Sequence, residues 1–297
     1  MQNEVVDYLI KDLNGIYVDC TIGFAGHSYK ILEKLNNKGL LIGIDLDPYA
    51  LNKAKEKLSG LNKQFSLHNI AYKEFPDILS NLKIEKVNGF LFDLGISSYQ
   101  VDSSHRGFSF SEDGPLDMRF NQNTGISAKE LLHKISEKDL KKIIKVYGEE
   151  PKAGKIAKQL IEARNSNKLN TTFDLKNNIL NAAKSNDKKI LARVFQAIRI
   201  AVNGELDGLK ITLKNIAGYL KTGGRIVVIS FHSLEDRIVK HFFKDCTIID
   251  DVDYFNREKI SSKKFNVITK KPIFASSAEI INNSRARSAK LRVAEKK

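Results

Sequence analysis

Over the first hundred residues, short apolar runs alternate with stretches of helical spacing. Residues 17–20, 40–45, 65–68 and 89–93 are strand-length and apolar almost throughout, and the segments after Gly26, Pro48 and Tyr72 carry a helical period. Strands that are apolar on both faces belong to a parallel sheet covered by helices on both sides. After Asp93 the pattern changes. A Ser/Gly-rich stretch reaching Phe120 is followed by helical patterns only, over 127–133, 136–147, 152–165 and 173–184, the first two opening on a Ser-x-x-acid capping signature. The alternation then returns with a helix over 206–220 stopped at Gly223-Gly224, a strand over 225–230 and a helix over 234–243, with closing strands expected at 267–269 and 289–294. The expected fold is α/β: a discontinuous sheet domain built from 1–105 and 190–297, bracketing a helical insertion at 106–189.

Charge adds a partner to this picture. The chain has 297 residues, with 49 Lys and Arg against 35 Asp and Glu, a net charge of +14. Only 11 of the 49 are Arg, so a general enrichment in Lys explains part of the excess, but twelve basic and three acidic residues fall between Arg257 and the end. Clustering of that kind favours a polyanionic partner such as nucleic acid. The two cysteines, Cys20 and Cys246, are far apart and outside any metal-binding spacing, so neither a disulfide framework nor a metal site is expected, and a reducing cytoplasmic location fits. Residues 1–13 are mixed polar and the longest apolar runs are strand-length, so neither a signal peptide nor a membrane partner is expected.

Ligands of open parallel sheets bind beyond the carboxyl ends of the strands, and four features fall there. The first is DCTIGFAGHS at 19–28, a strand running into a glycine turn and then a helix. The second is Asp45, 22 residues after Gly23, where a carboxylate can accept both hydroxyls of a ribose. Together they suggest an adenosine-type cofactor. A dinucleotide site wants GxGxxG, so that backbone amides reach a pyrophosphate, whereas the spacing here is GxxG. S-adenosylmethionine brings a sulfonium cation and no phosphate, which suits a loop flanked by Asp19, Asp45 and Asp93. The third feature is DLGISSYQ at 93–100, whose Asp93 and Gln100 can meet an adenine edge or an ammonium. The fourth is SFHSLEDR at 230–237, in which His232 reads as a general base or as a scaffold and substrate contact. His27, at a helix start, reads as a cofactor contact or as a packing residue.

DLGISSYQVD at 93–102, RGFSF at 106–110, GPLDMR at 114–119, RVFQAIR at 193–199, VNGEL at 202–206, ISFHSLEDRIVK at 229–240 and RARSAKLR at 285–292 resemble, in order, the signature stretches of the bacterial 16S ribosomal RNA cytosine N(4)-methyltransferase family. The resemblance implies a Rossmann-like class I methyltransferase with a mostly parallel seven-stranded sheet and an inserted all-helical domain. It implies S-adenosyl-L-methionine as donor and, as acceptor, a cytidine of the decoding region of 16S rRNA in the small ribosomal subunit. Carried over by position, the cofactor contacts fall on Ala25, Gly26, His27, Asp45, Tyr72, Asp93 and Gln100. The chain departs from the family pattern at Ala25, where Gly is usual, at Cys20 (Gly), Tyr72 (Phe) and Tyr99 (Pro). Ala25 is compatible with close approach of the cofactor if its φ is negative.

An exocyclic cytosine amine is a poor nucleophile, so catalysis must hold it in line, let it pyramidalise and accept a proton late. Asp93 and the Ser97-Ser98 turn are expected against the amine, with His232 across the pocket. The base must be unstacked to react, and Arg106, Arg119, Arg285, Arg287 and Arg292 are candidates for gripping single-stranded or bulged RNA. The competing reading for arginines in the signatures is ion pairing with Asp102, Asp117 or Asp236. The helical insertion has two uses open to it, gripping substrate or forming a homodimer face. Two rivals fit less well: a DNA amino-methyltransferase carries a Pro-Pro-aromatic element where this chain has DLGISS, and a non-catalytic ribosome-binding relative would be expected to lose Asp45 or the glycine turn.

Overall fold

The computed structural model describes residues 1–245 and 264–297. Cys246 lies outside the described residues. The chain divides into two units, one formed by Met1–Gly95 with Leu206–Lys297 and the other by Ile96–Glu205. The first begins with α1 (Gln2–Leu9) and continues through β1 (Ile16–Asp19), α2 (Gly26–Lys34), β2 (Leu40–Ile44), α3 (Pro48–Ser59), β3 (Gln64–His68), α4 (Phe75–Asn81) and β4 (Val87–Asp93). The second holds α5 (Ser98–Asp102), α6 (Ala128–Lys134), α7 (Glu137–Tyr147), α8 (Ala153–Asn165), α9 (Thr172–Ala183) and α10 (Lys188–Asn203). The chain returns to the first unit along α11 (Glu205–Tyr219), followed by β5 (Leu220–Ser230), α12 (Ser233–Asp245), β6 (Phe265–Val267), β7 (Ile273–Phe274), α13 (Ser277–Asn282) and β8 (Lys290–Lys296).

The sheet runs β3-β2-β1-β4-β5-β8-β6, with β7 also on β8. Strands β1 to β5 are mutually parallel and β8 is antiparallel to β5. Six of the seven expected strands lie where expected, the one expected at 267–269 is β6 at Phe265–Val267, and the two-residue β7, which shares the outer edge of β8 with β6, makes the sheet eight-stranded. Successive side chains of a strand point to opposite faces, and the core divides accordingly. Ile42 and Ile44, Phe90 and Phe92, and Ile226 and Val228 pack with Phe75, Leu79, Leu213 and Phe242 on one face. Leu41, Leu91, Val227 and Ile229 pack with Leu9, Ile31, Leu32 and Leu58 on the other. Helices on both faces explain why the strands are apolar throughout. Among the described residues no helix is long and apolar enough to cross a membrane.

Several helices of the helical unit start on side-chain caps. Ser127 forms a complete capping box with Glu130, Ser136 accepts from the Asp139 amide, and Thr171 pairs with Asp174 in a second box. Its boundaries, Ile96 and Glu205, are wider than the expected 106–189. At the C-terminal end the reason is α10: Ile190, Leu191, Val194, Phe195 and Ile198 are buried in one cluster with Leu140, Ile144, Leu175 and Ile179 of α7 and α9.

Candidate active site

The carboxyl ends of β1, β2 and β4 carry Asp19, Asp45 and Asp93. Asp19 is buried, accepts the Ser28 hydroxyl at 2.6 Å and the Thr21 amide at 3.1 Å, and so ties the strand end to the first turn of α2. Burial lifts its pKa to about 6, against the hydrogen bonds from Ser28 and Thr21. Thr21 Oγ1 in turn accepts the Asp93 amide at 2.6 Å. The loop between β1 and α2 is therefore stitched to β4 by side chains.

Asp45 receives two backbone amides, Gly23 N–H at 2.8 Å on Oδ2 and Asp47 N–H at 2.9 Å on Oδ1. Each carboxylate oxygen has a further lone pair for a ligand hydroxyl. Its pKa is also pushed up to about 6, again chiefly by desolvation. Phe24 of the β1–α2 loop packs edge-on against Tyr49 of α3, with ring centroids 6.1 Å apart. Gly23 has φ +49°, in the region that glycine enters at no steric cost. Ala25 caps α2 with φ 56° and ψ 39°. The condition set for close approach, a negative φ at Ala25, is therefore not met: the backbone is left-handed and holds a methyl group there.

His27 and Asp93 meet at the mouth of this loop, with Nε2 3.4 Å from Oδ2. Burial opposes protonation of the ring, but the hydrogen bond and charge of Asp93, with the charge of Asp19, outweigh it, and the His27 pKa lies above its ordinary value. His27 Nδ1 and Asp93 Oδ1 are buried and make no hydrogen bond within the described residues. Buried polar atoms are nearly always satisfied, so this pair marks a place for a ligand with both a donor and an acceptor. The α-ammonium and α-carboxylate of S-adenosylmethionine are such a pair, and Asp45 suits its ribose. Tyr72 packs edge-on against Phe92 at 5.9 Å, and a side chain at Gly208 would lie 3.5 Å from its hydroxyl. Gly26 opens α2 beside His27.

At the end of β5, Glu235 Oε2 accepts the amides of Phe231 at 2.9 Å and His232 at 3.3 Å. His232 Nδ1 accepts the Glu235 amide at 3.4 Å, an arrangement that leaves the ring proton on Nε2. His232 Nε2 is 3.2 Å from Glu235 Oε1 but off the axis of a hydrogen bond.

Ser97, Ser98 and Gln100 belong to the helical unit. Ser97 Oγ accepts the Gln100 amide and Gln100 Oε1 accepts the Ser97 amide at 3.0 Å, a capping box that starts α5. Gln100 is buried. Tyr99 sits in the first turn of α5, where the Pro that the resemblance leads one to expect is also tolerated. The candidate arginines separate clearly. Arg106 is 3% exposed and donates from Nη2 to the Arg119 and Phe120 carbonyls at 3.0 and 2.9 Å, and Arg292 is 7% exposed and bonded through Nε to Asp236 at 2.6 Å. Both side chains are held within the protein, as the competing reading of ion pairing expects for Arg292, while Arg106 Nε is buried with no hydrogen bond among the described residues. Arg119 forms a two-pronged pair with Asp117 at 2.9 and 2.8 Å, while Arg285 and Arg287 are exposed. Cys20 is buried in the core with its thiol pushed well above its ordinary pKa, so it is no nucleophile.

Sequence reasoning gave no role to Thr21, Glu235 or Asn69, whose Nδ2 donates to the Asp45 and Leu46 carbonyls at 2.9 Å each. Asn at a strand end, with its habit of bonding nearby backbone, was the available signal.

Three carboxylates round one strand-end loop set a local potential that repels a pyrophosphate and attracts a cation. A doubly wound sheet built round such a loop is the cofactor domain of a class I methyltransferase, and S-adenosylmethionine is its cofactor. Comparison with known proteins gives the particular family. The model of the MraW methylase family matches residues 1–297. Ribosomal RNA small subunit methyltransferase H of Caldicellulosiruptor saccharolyticus is 46% identical over 300 residues, covering 99% of this chain and 96% of that protein. The proteins of the same name from Hydrogenovibrio crunogenus and Clostridioides difficile are 44% and 42% identical, over 100% and 99% of this chain and 95% and 96% of their own lengths. A solved rRNA methylase from Streptococcus thermophilus overlays with a TM-score of 0.45 at 11% identity, covering 99% of this chain and 93% of that one. The chain belongs to the MraW methylase family.

Proposed function

We propose that this protein methylates the exocyclic N4 amine of a cytidine in the decoding region of 16S rRNA, within the small ribosomal subunit and in the cytoplasm. The observation that carries the acceptor is the full-length likeness to proteins named for small-subunit rRNA methylation, at 42–46% identity. The N4 cytidine assignment rests on the signature stretches in the sequence.

Bound S-adenosylmethionine supplies an electrophilic methyl group; the rest falls to the protein. Asp45 orients the cofactor through its ribose, and the buried pair His27 Nδ1 and Asp93 Oδ1 takes its amino-acid end. The amine gains positive charge as its lone pair leaves ring conjugation, and a carboxylate at Asp93 stabilises that charge. His232, proton on Nε2, orients the base through its carbonyl. Ser97 and Ser98 accept hydrogen bonds from the amine, a role that stands on their place in the signature.

Tritium transfer from labelled cofactor to small-subunit rRNA, duplex DNA and protein tests the reading. Label in rRNA alone, recovered as N(4)-methylcytidine, is expected; label in DNA or protein would overturn the acceptor. Alanine at Ser97, Ser98 and His232 in turn tests the roles, and three normal single-turnover rates would remove them.

A further inference from the structure

Ser230, at the carboxyl end of β5, pairs with Lys290 of β8, and Lys290 pairs on its other side with Phe274 of β7. The outer edge of the sheet at this point carries side chains that neither the cofactor site nor the core uses. Phe274 is 58% exposed and Ile281, within α13, 83%. Lys264, Lys270, Lys271, Arg285 and Arg287 are exposed in the same stretch, and from 264 to 290 the one acidic residue is Glu279.

A solvent-facing aromatic ring among cations has two readings. Protein interfaces are enriched in aromatics but depleted in Lys, and three lysines here argue against a protein partner. Single-stranded RNA fits both features, since bases stack on aromatic rings and phosphates are neutralised by Lys and Arg. The position fits as well: the ring lies two strands from Ser230, whose own strand ends next to His232.

We propose that Phe274, with Lys270, Lys271, Arg285 and Arg287, forms a docking surface for single-stranded RNA at the β7–β8 edge, with Phe274 as the platform on which an unpaired base stacks. This deepens the RNA reading given above and rests on it. The surface holds the strand beside the reacting cytidine and adds affinity without touching the transferred methyl group.

The test is fluorescence anisotropy of a short fluorescein-labelled single-stranded RNA with the full chain, at several salt concentrations. Phe274→Ala is expected to weaken binding about tenfold with an unchanged salt slope, and Phe274→Tyr to restore it. Arg287→Gln is expected to lower the salt slope by about 0.7, the share of one phosphate contact on a single strand. Phe274 is exposed, so its variants should melt with the wild type. Wild-type RNA affinity in Phe274→Ala overturns the proposal, as does a self-association seen by sedimentation that Phe274→Ala abolishes while RNA affinity stands. Absence of methyl transfer to any RNA, with the Phe274 effect on binding intact, would instead count against the catalytic reading.

Discussion

The strand-end loop of the sheet unit and the signature loops of the helical unit are equally rich in motif residues, yet they use them in opposite ways. In the helical unit the polar side chains turn inward. Arg106 holds the Arg119 and Phe120 carbonyls, Arg119 holds Asp117, Arg199 grips Glu205 at 2.8 and 3.0 Å, and Asn203 bonds the Met118 carbonyl and the Phe120 amide at 2.8 Å each. In the sheet unit Asp19 and Asp45 are desolvated to pKa values of about 6, and His27 Nδ1 and Asp93 Oδ1 are buried with no hydrogen bond among the described residues. A signature residue whose bonds close within the protein is scaffold. Arg106 Nε and His232 Nε2 are also buried with no hydrogen bond among the described residues, so an unmet atom points to a ligand where it lies, as at His27 and Asp93, among the strand-end carboxylates.

The sharpest break of this contrast comes from Asp45→Ala. Removing a charged acceptor of two hydroxyls should weaken S-adenosylmethionine binding about a hundredfold, near 2.7 kcal/mol, by isothermal titration calorimetry. Undiminished affinity would place the ribose elsewhere. Arg106→Ala should do the reverse, costing about 2 kcal/mol of stability in urea unfolding with cofactor affinity intact. Normal stability with lost RNA methylation would return Arg106 to the substrate.

A third test follows from the raised carboxyl values. Asp19 and Asp45, near 6 when folded and about 3.9 in an unfolded chain, hold protons in the fold that the unfolded state releases between those values. Their contribution to the stability of the cofactor-free protein is therefore full below the lower value and is lost as pH rises through about 6. Cofactor binding runs the other way, because the ribose hydroxyls prefer an ionised Asp45. Affinity should drop about tenfold from pH 7 to pH 5, and Asp45→Asn should flatten that part of the profile; an unchanged profile in Asp45→Asn would assign the proton elsewhere. The smallest effect is expected at Ala25→Gly. Relief of the left-handed backbone and the added freedom of the unfolded chain nearly cancel, so the melting point should move by the equivalent of less than about 1 kcal/mol.

The sheet was legible because its strands are bounded runs with turn signals at both ends, and because Gly23 and Asp45 fall at the spacing that a ribose site requires. The caps at Ser127 and Ser136 were legible for the same local reason. What escaped were elements defined by what they pack against. α10 has a buried face of Ile190, Leu191, Val194, Phe195 and Ile198, but its signature motif drew attention to chemistry rather than to period. β7 is two residues long and exists through pairing with β8. The roles of Arg106 and Arg292 depended on burial, and that of His232 on the Glu235 amide, which spacing alone does not reveal. The left-handed Ala25 was hidden because the chain carries no Gly there to announce it.

The proposed role of the strand-end carboxylates is to hold S-adenosylmethionine for methylation of small-subunit rRNA. Mass spectrometry of nucleosides from 16S rRNA, taken from cells with and without this protein, tests it most directly. The account predicts that an N(4)-methylated cytidine disappears on deletion and returns with the wild-type chain but not with Asp45→Ala. An rRNA profile that deletion leaves unchanged would contradict it.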